Sequence, residues 1–420
     1  MTDAIDRFER LTDAPRAPAV ERVVDRSAAP VERNLAVGYL RAFITVLVLA
    51  HHAVIAYLPG MPKAPAVFGQ RPFTWGAFPV LDTHSWAWFG LLTGFNDTFF
   101  MSLMFFISGL FVWDSLKRKG AAGFLRDRLL RLGLPFAVAA TLLAPLAYYP
   151  SYRLTGADPS PLAFAKARIG LGSWPAGPAW FIWVLLVFGA LAAAVWRFAP
   201  ALGEAAGRLA KGADARPFRL YAGLLGVSAV AYGALALVFG QIDWLAFGPF
   251  SIQGARILHY GVYFAAGLGV GAIGLAGGLL AENGALQRRW WAWALAAPFA
   301  FAVDAVLNVV AFLLKAGDAP AWQIATSFGY ALSCATASFA FMAVFVRFVR
   351  RRSPIWDSLA ANAYGMYLIH YIFVTWLQYA LLRSDLPGFT KGVLVFAGVV
   401  ALTWAGTAAL RRAPGLGRVL

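Results

Sequence analysis

Three ionisable residues interrupt an apolar stretch, Arg41-Ala-Phe-Ile-Thr-Val-Leu-Val-Leu-Ala-His51-His52, inside the run 35–58. Such groups cost about 3 kcal/mol or more in a hydrocarbon layer unless they face a partner, water or a bundle interior. On an ideal helix, eleven residues leave Arg41 and His52 about 20° apart around the axis and about 16 Å apart along it. His51 falls about 80° off that face. The stripe thus joins a neutral imidazole, a proton acceptor near physiological pH, to a guanidinium suited to phosphates and carboxylates. The chemistry it suggests is general-base catalysis by His52, with Arg41 as an anion binder or a source of cavity electrostatics. The plainer alternative has Arg41 snorkelling to one face and both histidines sitting at the other.

Other chemistry-bearing residues cluster at expected span ends. Asn96 and Asp97 open the expected second span, where Asp97 either orients the His52 imidazole or caps a helix. Tyr367, His370 and Tyr371 share one face at i, i+3 and i+4; with Trp180 they mark a candidate acceptor path, or an interhelical hydrogen bond. Arg126, Arg128 and Arg131 lie in a basic connection with Lys117, Arg118 and Lys119. Arg128 and Arg131 are spaced to act as a pair on an anionic donor; the alternative is a connection that only sets topology. Asp304 and Asn308 form an i, i+4 pair with no evident partner. Arg256 and His259 read as interface residues, and His84 as solvated. The long stretch 59–96 contains five prolines, with Trp75, Phe78, Trp86 and Trp88; these aromatics suit sugar stacking or interface anchoring. The pattern Gly269-Val-Gly271-Ala-Ile-Gly274 mimics a dinucleotide fingerprint, but it lies in an apolar span, where small residues serve helix packing.

The elements that must carry these residues are membrane helices. Of 420 residues, 60% are hydrophobic and 13% charged, about half the charge of an ordinary soluble chain. The fold class expected is all-α integral membrane, about ten transmembrane helices with no soluble domain. They fall near 35–58, 97–116, 132–149, 179–199, 219–240, 257–280, 290–314, 323–346, 362–382 and 391–410. Residues 1–34 read as a polar tail, 35–411 as the membrane domain and 412–420 as a short basic tail. Lys and Arg are roughly threefold more abundant on the side carrying both termini, which places both in the cytoplasm. The net charge of +16 therefore follows topology, and nucleic acid is not an expected partner. The single cysteine, Cys334, precludes an intramolecular disulfide, and no metal site is expected.

An arginine, ten residues and a histidine near the exit of the first span resemble the hallmark of the membrane-bound acyltransferase 3 family. Four further stretches resemble that family in order: FNDTFFMSLMFFISGLFVW (95–113), RDRLLRLGLPF (126–136), PAWFIWVLLVFGAL (178–191) and NAYGMYLIHY (362–371). Around Asn96-Asp97 and Phe105 to Gly109 the chain looks most like the branch that succinylates periplasmic glucans. The resemblance implies a multi-pass enzyme of the bacterial inner membrane that transfers an acetyl or succinyl group to an extracytoplasmic glycan hydroxyl. Acetyl-CoA or succinyl-CoA is then the donor, with no tightly bound cofactor. His52 and Asp97 would be catalytic, and Arg41, Arg126, Arg128 and Arg131 would bind the donor. A covalent acyl-histidine relay, a homo-oligomer, and a transporter or flippase using Arg41 and Asp304 as binding charges remain open at this stage.

Overall fold

The structure is a computed structural model that describes residues 35–60, 68–69, 73–172, 174–275 and 278–418. The expected tail 1–34 lies outside them. Eight helical segments among the described residues are long and apolar enough to cross a membrane. They are α1 (Leu35–Val54, extended to Tyr57 by a 3₁₀ turn), α2 (Trp88–Gly109), the long segment Val112–Arg153, α7 (Trp180–Phe198, preceded by a 3₁₀ turn), α9 (Pro217–Phe239), α12 (Trp290–Leu313), α13 (Pro320–Phe348) and α15 (Gly388–Leu410). Helices also stand at the sixth and ninth expected positions, but outside those eight. They are α10 (Arg256–Ala272), only 17 residues long, and α14 (Pro354–Leu381), which carries Asn362, His370 and Gln378. The shorter helices α6 (Pro161–Gly170), α8 (Pro200–Ala210) and α11 (Ala285–Arg288) connect them. Among the described residues the only strands form a two-stranded antiparallel ribbon, β1 (Trp244–Phe247) with β2 (Phe250–Gln253).

Helices are the natural answer in a bilayer, because every backbone polar group is satisfied within the segment. Side-chain size then sorts them radially. The centre of α13 runs Ala331, Ser333, Cys334, Ala335, Thr336, Ala337, Ser338, all buried, and small residues let neighbours approach closely. On α12 the large residues Leu295, Phe299, Val306 and Phe312 are exposed, as a lipid-facing surface requires. Between α2 and α10 the approach is closest. A Cβ on Gly267 or Gly271 would collide with the backbone carbonyls of Phe106 or Leu110, and one on Gly269 would lie 2.6 Å from the Ala206 oxygen. The glycine pattern is indeed packing.

The second span begins nine residues earlier than the expected 97, so Asn96 and Asp97 lie inside α2 and cap nothing. The basic residues from Lys117 to Arg131 lie in helical segments, interrupted by a break at Gly120, whose φ of +66° favours glycine. Val112–Arg153 comprises α3 (Val112–Arg128), α4 (Leu134–Val138) and α5 (Ala144–Arg153), joined by π-helical turns at Leu129–Gly133 and Ala139–Leu143. Each π turn is followed, after one residue, by a proline, Pro135 or Pro145. A proline has no N–H to give the preceding turn and clashes with its carbonyl, so the helix widens there. The released carbonyls find other donors: Arg131 O accepts from the Tyr364 hydroxyl at 2.6 Å, and Ala140 O from Trp174 Nε1 at 3.0 Å.

Candidate active site

The first helix delivers its two histidines to different neighbours. His52 faces α14. Its Nδ1 lies 2.9 Å from the Val48 carbonyl oxygen and 3.2 Å from Nε2 of His370, with ring centroids 5.0 Å apart. His370 is wholly buried, and its own Nδ1 lies 2.6 Å from the Tyr367 carbonyl oxygen. These contacts assign the neutral tautomers. A carbonyl only accepts, so Nδ1 of each ring carries the proton. Nε2 of His370 is then an acceptor for the His52 N–H, which it shares with Val48. The Nε2 lone pair of His52, on a half-buried ring, is left to act as a base.

The elements around this pair hold it firmly. Gln378, also on α14, donates from Nε2 to the carbonyls of His52 (2.9 Å) and Ala53 (3.1 Å), satisfying groups that the end of α1 leaves open. Tyr371 sets its ring edge against His52, centroids 5.3 Å apart, and packs on Tyr148. Gly177 adopts φ +59°, which favours glycine; a Cβ there would approach Tyr148 and Tyr371 at 3.1–3.3 Å. The Tyr367 hydroxyl donates to the Pro178 carbonyl, and Trp180 stacks on Tyr260. A cavity of about 20 Å³ touches Pro178, Tyr367, His370 and Tyr371, room for about one water. Of the sequence-predicted residues, the fold therefore gathers His52, His370, Tyr367 and the start of the Trp180 helix.

Asp97 belongs elsewhere. Its carboxylate takes both terminal nitrogens of Arg256, at 2.9 and 2.5 Å, and that guanidinium lies 4.8 Å over the Tyr330 ring. The expectation that Asp97 orients His52 is not met, because Arg256 on the facing α10 claims the carboxylate. Arg256 and His259 are both buried against neighbouring helices. His51 turns toward this second cluster, its ring 5.2 Å from Phe100. Several polar atoms nearby have no hydrogen-bond partner among the described residues, including His51 Nδ1, Asn96 Nδ2, Arg256 Nε and His259 Nε2. Asn308 donates to Asp304 Oδ1 at 3.1 Å, so the pair predicted on α12 exists.

The cationic residues lie toward the other end of the bundle. Arg41 is exposed. Arg126 and Arg131 are exposed, while Arg128 packs on Phe124 with its guanidinium 4.9 Å from the ring centre. Asp127 beside them is paired with Lys119. The structure thus keeps the arginines apart from the His52 pair. Sequence reasoning missed one further group, on the His52 side. Lys391 is wholly buried at the start of α15 and binds Asp82 at 2.7 Å, with His84 Nδ1 at 3.3 Å. His84 is therefore not simply solvated. Trp75, a candidate sugar platform, is buried and stacked on Phe68 at 4.5 Å.

No curated protein and no solved structure matches this chain significantly. A family model described as an acyltransferase domain, Acyl_transf_3, matches residues 34–410, which takes in α1 with Arg41 and His52 and every helix through α15. The chain belongs to this acyltransferase family, and is a multi-pass membrane enzyme that transfers acyl groups other than aminoacyl groups.

Proposed function

We propose that the protein moves an acetyl or succinyl group from an acyl-CoA donor to a hydroxyl of an extracytoplasmic glycan, at a bacterial inner membrane with both termini cytoplasmic. The observation that carries this reading is the His52–His370 pair, whose hydrogen bonds leave His52 Nε2 free as a base. The acceptor oxygen attacks the thioester carbonyl carbon as its proton passes to His52 Nε2. The C–S bond breaks as the tetrahedral intermediate collapses, and the imidazolium returns the proton to the departing thiolate. The Val48 carbonyl sets the tautomer, while His370 holds the ring and supports the positive charge, part of the task a carboxylate performs in a hydrolase triad. The same Nε2 would attack in an acyl-histidine relay; direct transfer needs no further group.

Donor binding falls to the other end. Arg126, Arg128 and Arg131 offer guanidinium groups to the CoA phosphates, and Arg41 lies about 16 Å from His52 along α1, a span suited to a pantetheine arm. The reading places no carboxylate on His52, so Asp97 acts through the packing of α2 on α10.

The test is transfer of labelled acyl groups from acetyl-CoA and succinyl-CoA to the cell's glycans, in membranes bearing wild type, His51→Ala or His52→Ala. Loss of transfer in His52→Ala alone, at normal protein level, is the expected result. Full activity in His52→Ala would remove the base. Absence of transfer by wild type from either donor would overturn the assignment of acetyl-CoA or succinyl-CoA as donor.

A further inference from the structure

The π turn at Ala139–Leu143 faces a groove of about 550 Å³, on the side of the bent helix away from the small cavity at His370. Thr141, Pro145, Phe164, Arg168, Ile169 and Trp174 line it. Its chemistry is lopsided: the walls are mostly apolar, Arg168 is the one charged side chain among the described residues that line them, and no described carboxylate does. Arg168 reaches the Ala140 carbonyl with Nη2 at 3.5 Å, while Nη1 is buried without a partner among the described residues. Asp158, in the turn before α6, is engaged by Ser160 through its backbone N–H and hydroxyl. Burial pushes the Arg168 guanidinium down from its ordinary pKa, with the nearby Tyr148 hydroxyl opposing. A half-buried cation with an open donor is incomplete without an anion.

The rim shows what kind of molecule carries that anion. Leu142 and Leu146 on the bent helix, Leu162 and Ile169 on α6, and Phe247 on the ribbon are all exposed. The ribbon is tied to the groove by Trp174 N–H to Gly248 O at 3.2 Å. The groove therefore opens on surfaces suited to acyl chains, with a phosphate-binding group inside. It also communicates with the active site: Arg168 neighbours Tyr148, Tyr148 packs on Tyr371, and Tyr371 packs on His52.

We propose that this groove binds a phosphate-headed lipid of the surrounding leaflet, its phosphate on Arg168 and its chains along Leu142, Leu146 and Ile169. The lipid reinforces the tyrosine wall behind His52, its phosphate lying across Tyr148 and Tyr371 from the catalytic pair. That last consequence rests on the acyltransferase reading; the binding itself does not.

The test uses the full chain purified in detergent, with dioctanoyl phosphatidic acid, dioctanoylglycerol and inorganic phosphate as probes. Saturable binding of phosphatidic acid is expected, weakened about tenfold or more in Arg168→Gln and partly kept in Arg168→Lys. Ile169→Asp, at a side chain 83% exposed and so harmless to folding, should also weaken it by repelling the chains. Unchanged affinity in Arg168→Gln would overturn the proposal. So would equal binding of dioctanoylglycerol, which means an apolar crevice only, or of inorganic phosphate, which means the chains are not read. Because every arm reads binding, its outcome is independent of whether His52 catalyses acyl transfer.

Discussion

Replacing His370 by alanine removes one of the two acceptors for the His52 Nδ1–H and leaves the other. The Val48 carbonyl, at 2.9 Å, is the shorter contact and belongs to the helix backbone, so it survives the substitution. The imidazole therefore keeps its tautomer, and the loss is confined to the bond that His52 donates to His370 Nε2 at 3.2 Å. In the ground state that bond joins neutral groups, but in the transition state His52 carries positive charge. A hydrogen bond to a charged group contributes about 1.5–3 kcal/mol, which converts to a loss of roughly 10–150-fold in transfer rate. This is well short of the roughly 10⁴-fold seen when a triad loses the group that sets its tautomer. His370→Gln, whose amide oxygen can accept in place of Nε2, should recover part of the rate. The assay is initial-rate acyl transfer in membranes, with the KM for the acyl-CoA followed alongside, which should not move. Unchanged rate in His370→Ala would refute the positioning role. A loss as deep as that of His52→Ala would refute it differently, by making His370 the base.

Arg256→Leu takes the two-pronged partner from Asp97, whose side chain is partly exposed, so thermal unfolding in detergent should show about 1.5–3 kcal/mol less stability, the contribution of a hydrogen bond to a charged group; an unchanged Tm would mean the pair contributes nothing. Lys391→Met strands the fully buried Asp82 at a larger cost of about 3–5 kcal/mol, and the double variant Lys391→Met with Asp82→Leu should be more stable than that single one. Failure of the double variant to recover any stability would show that the pair's geometry, rather than its charge balance, holds the 82–86 segment. Gly267→Leu places a side chain against the Phe106 carbonyl, so folded yield by size exclusion should collapse, whereas Gly223→Leu, with open space around its Cβ position, should be tolerated.

The membrane class was legible because hydropathy and length alone decide it, and the divergence of His51 from His52 because a helix fixes angles. What failed was the reading of polar residues at span ends. Asn96 and Asp97 looked like a cap because a carboxylate within a span is costly. Arg256, 159 positions away, removes that cost, and a pairing so distant has no local signature. The basic 117–131 stretch looked like a loop because its charges break the apolar run; in the structure it is helical on both sides of a single break at Gly120, and the two π turns beyond it accommodate Pro135 and Pro145. Lys391 hid among the residues that set topology. His370 was singled out from its spacing with Tyr367 and Tyr371, but spacing shows a shared face and not the helix which that face meets.

The adjacent pair His51-His52 shows why that distinction matters. Consecutive helical residues point 100° apart, so one dipeptide addresses two neighbours: α2 with its Asp97–Arg256 pair on one side, α14 with His370 on the other. Near Asp97, His51 meets an ion pair whose carboxylate is already committed to Arg256, and its Nδ1 has no partner among the described residues. That position offers a second histidine without the means to fix its tautomer. Beside His370, by contrast, each ring nitrogen in the pair has an assigned role except the one that would take the acceptor's proton. The two sites differ in preorganisation rather than in residue type, and preorganisation is what a base needs. Exchanging the sequence context, with His51→Phe leaving His52 alone, should therefore retain most of the transfer activity. Loss of activity in His51→Phe comparable to that in His52→Ala would show that the Asp97 side of the first helix, and not the His370 side, carries the chemistry.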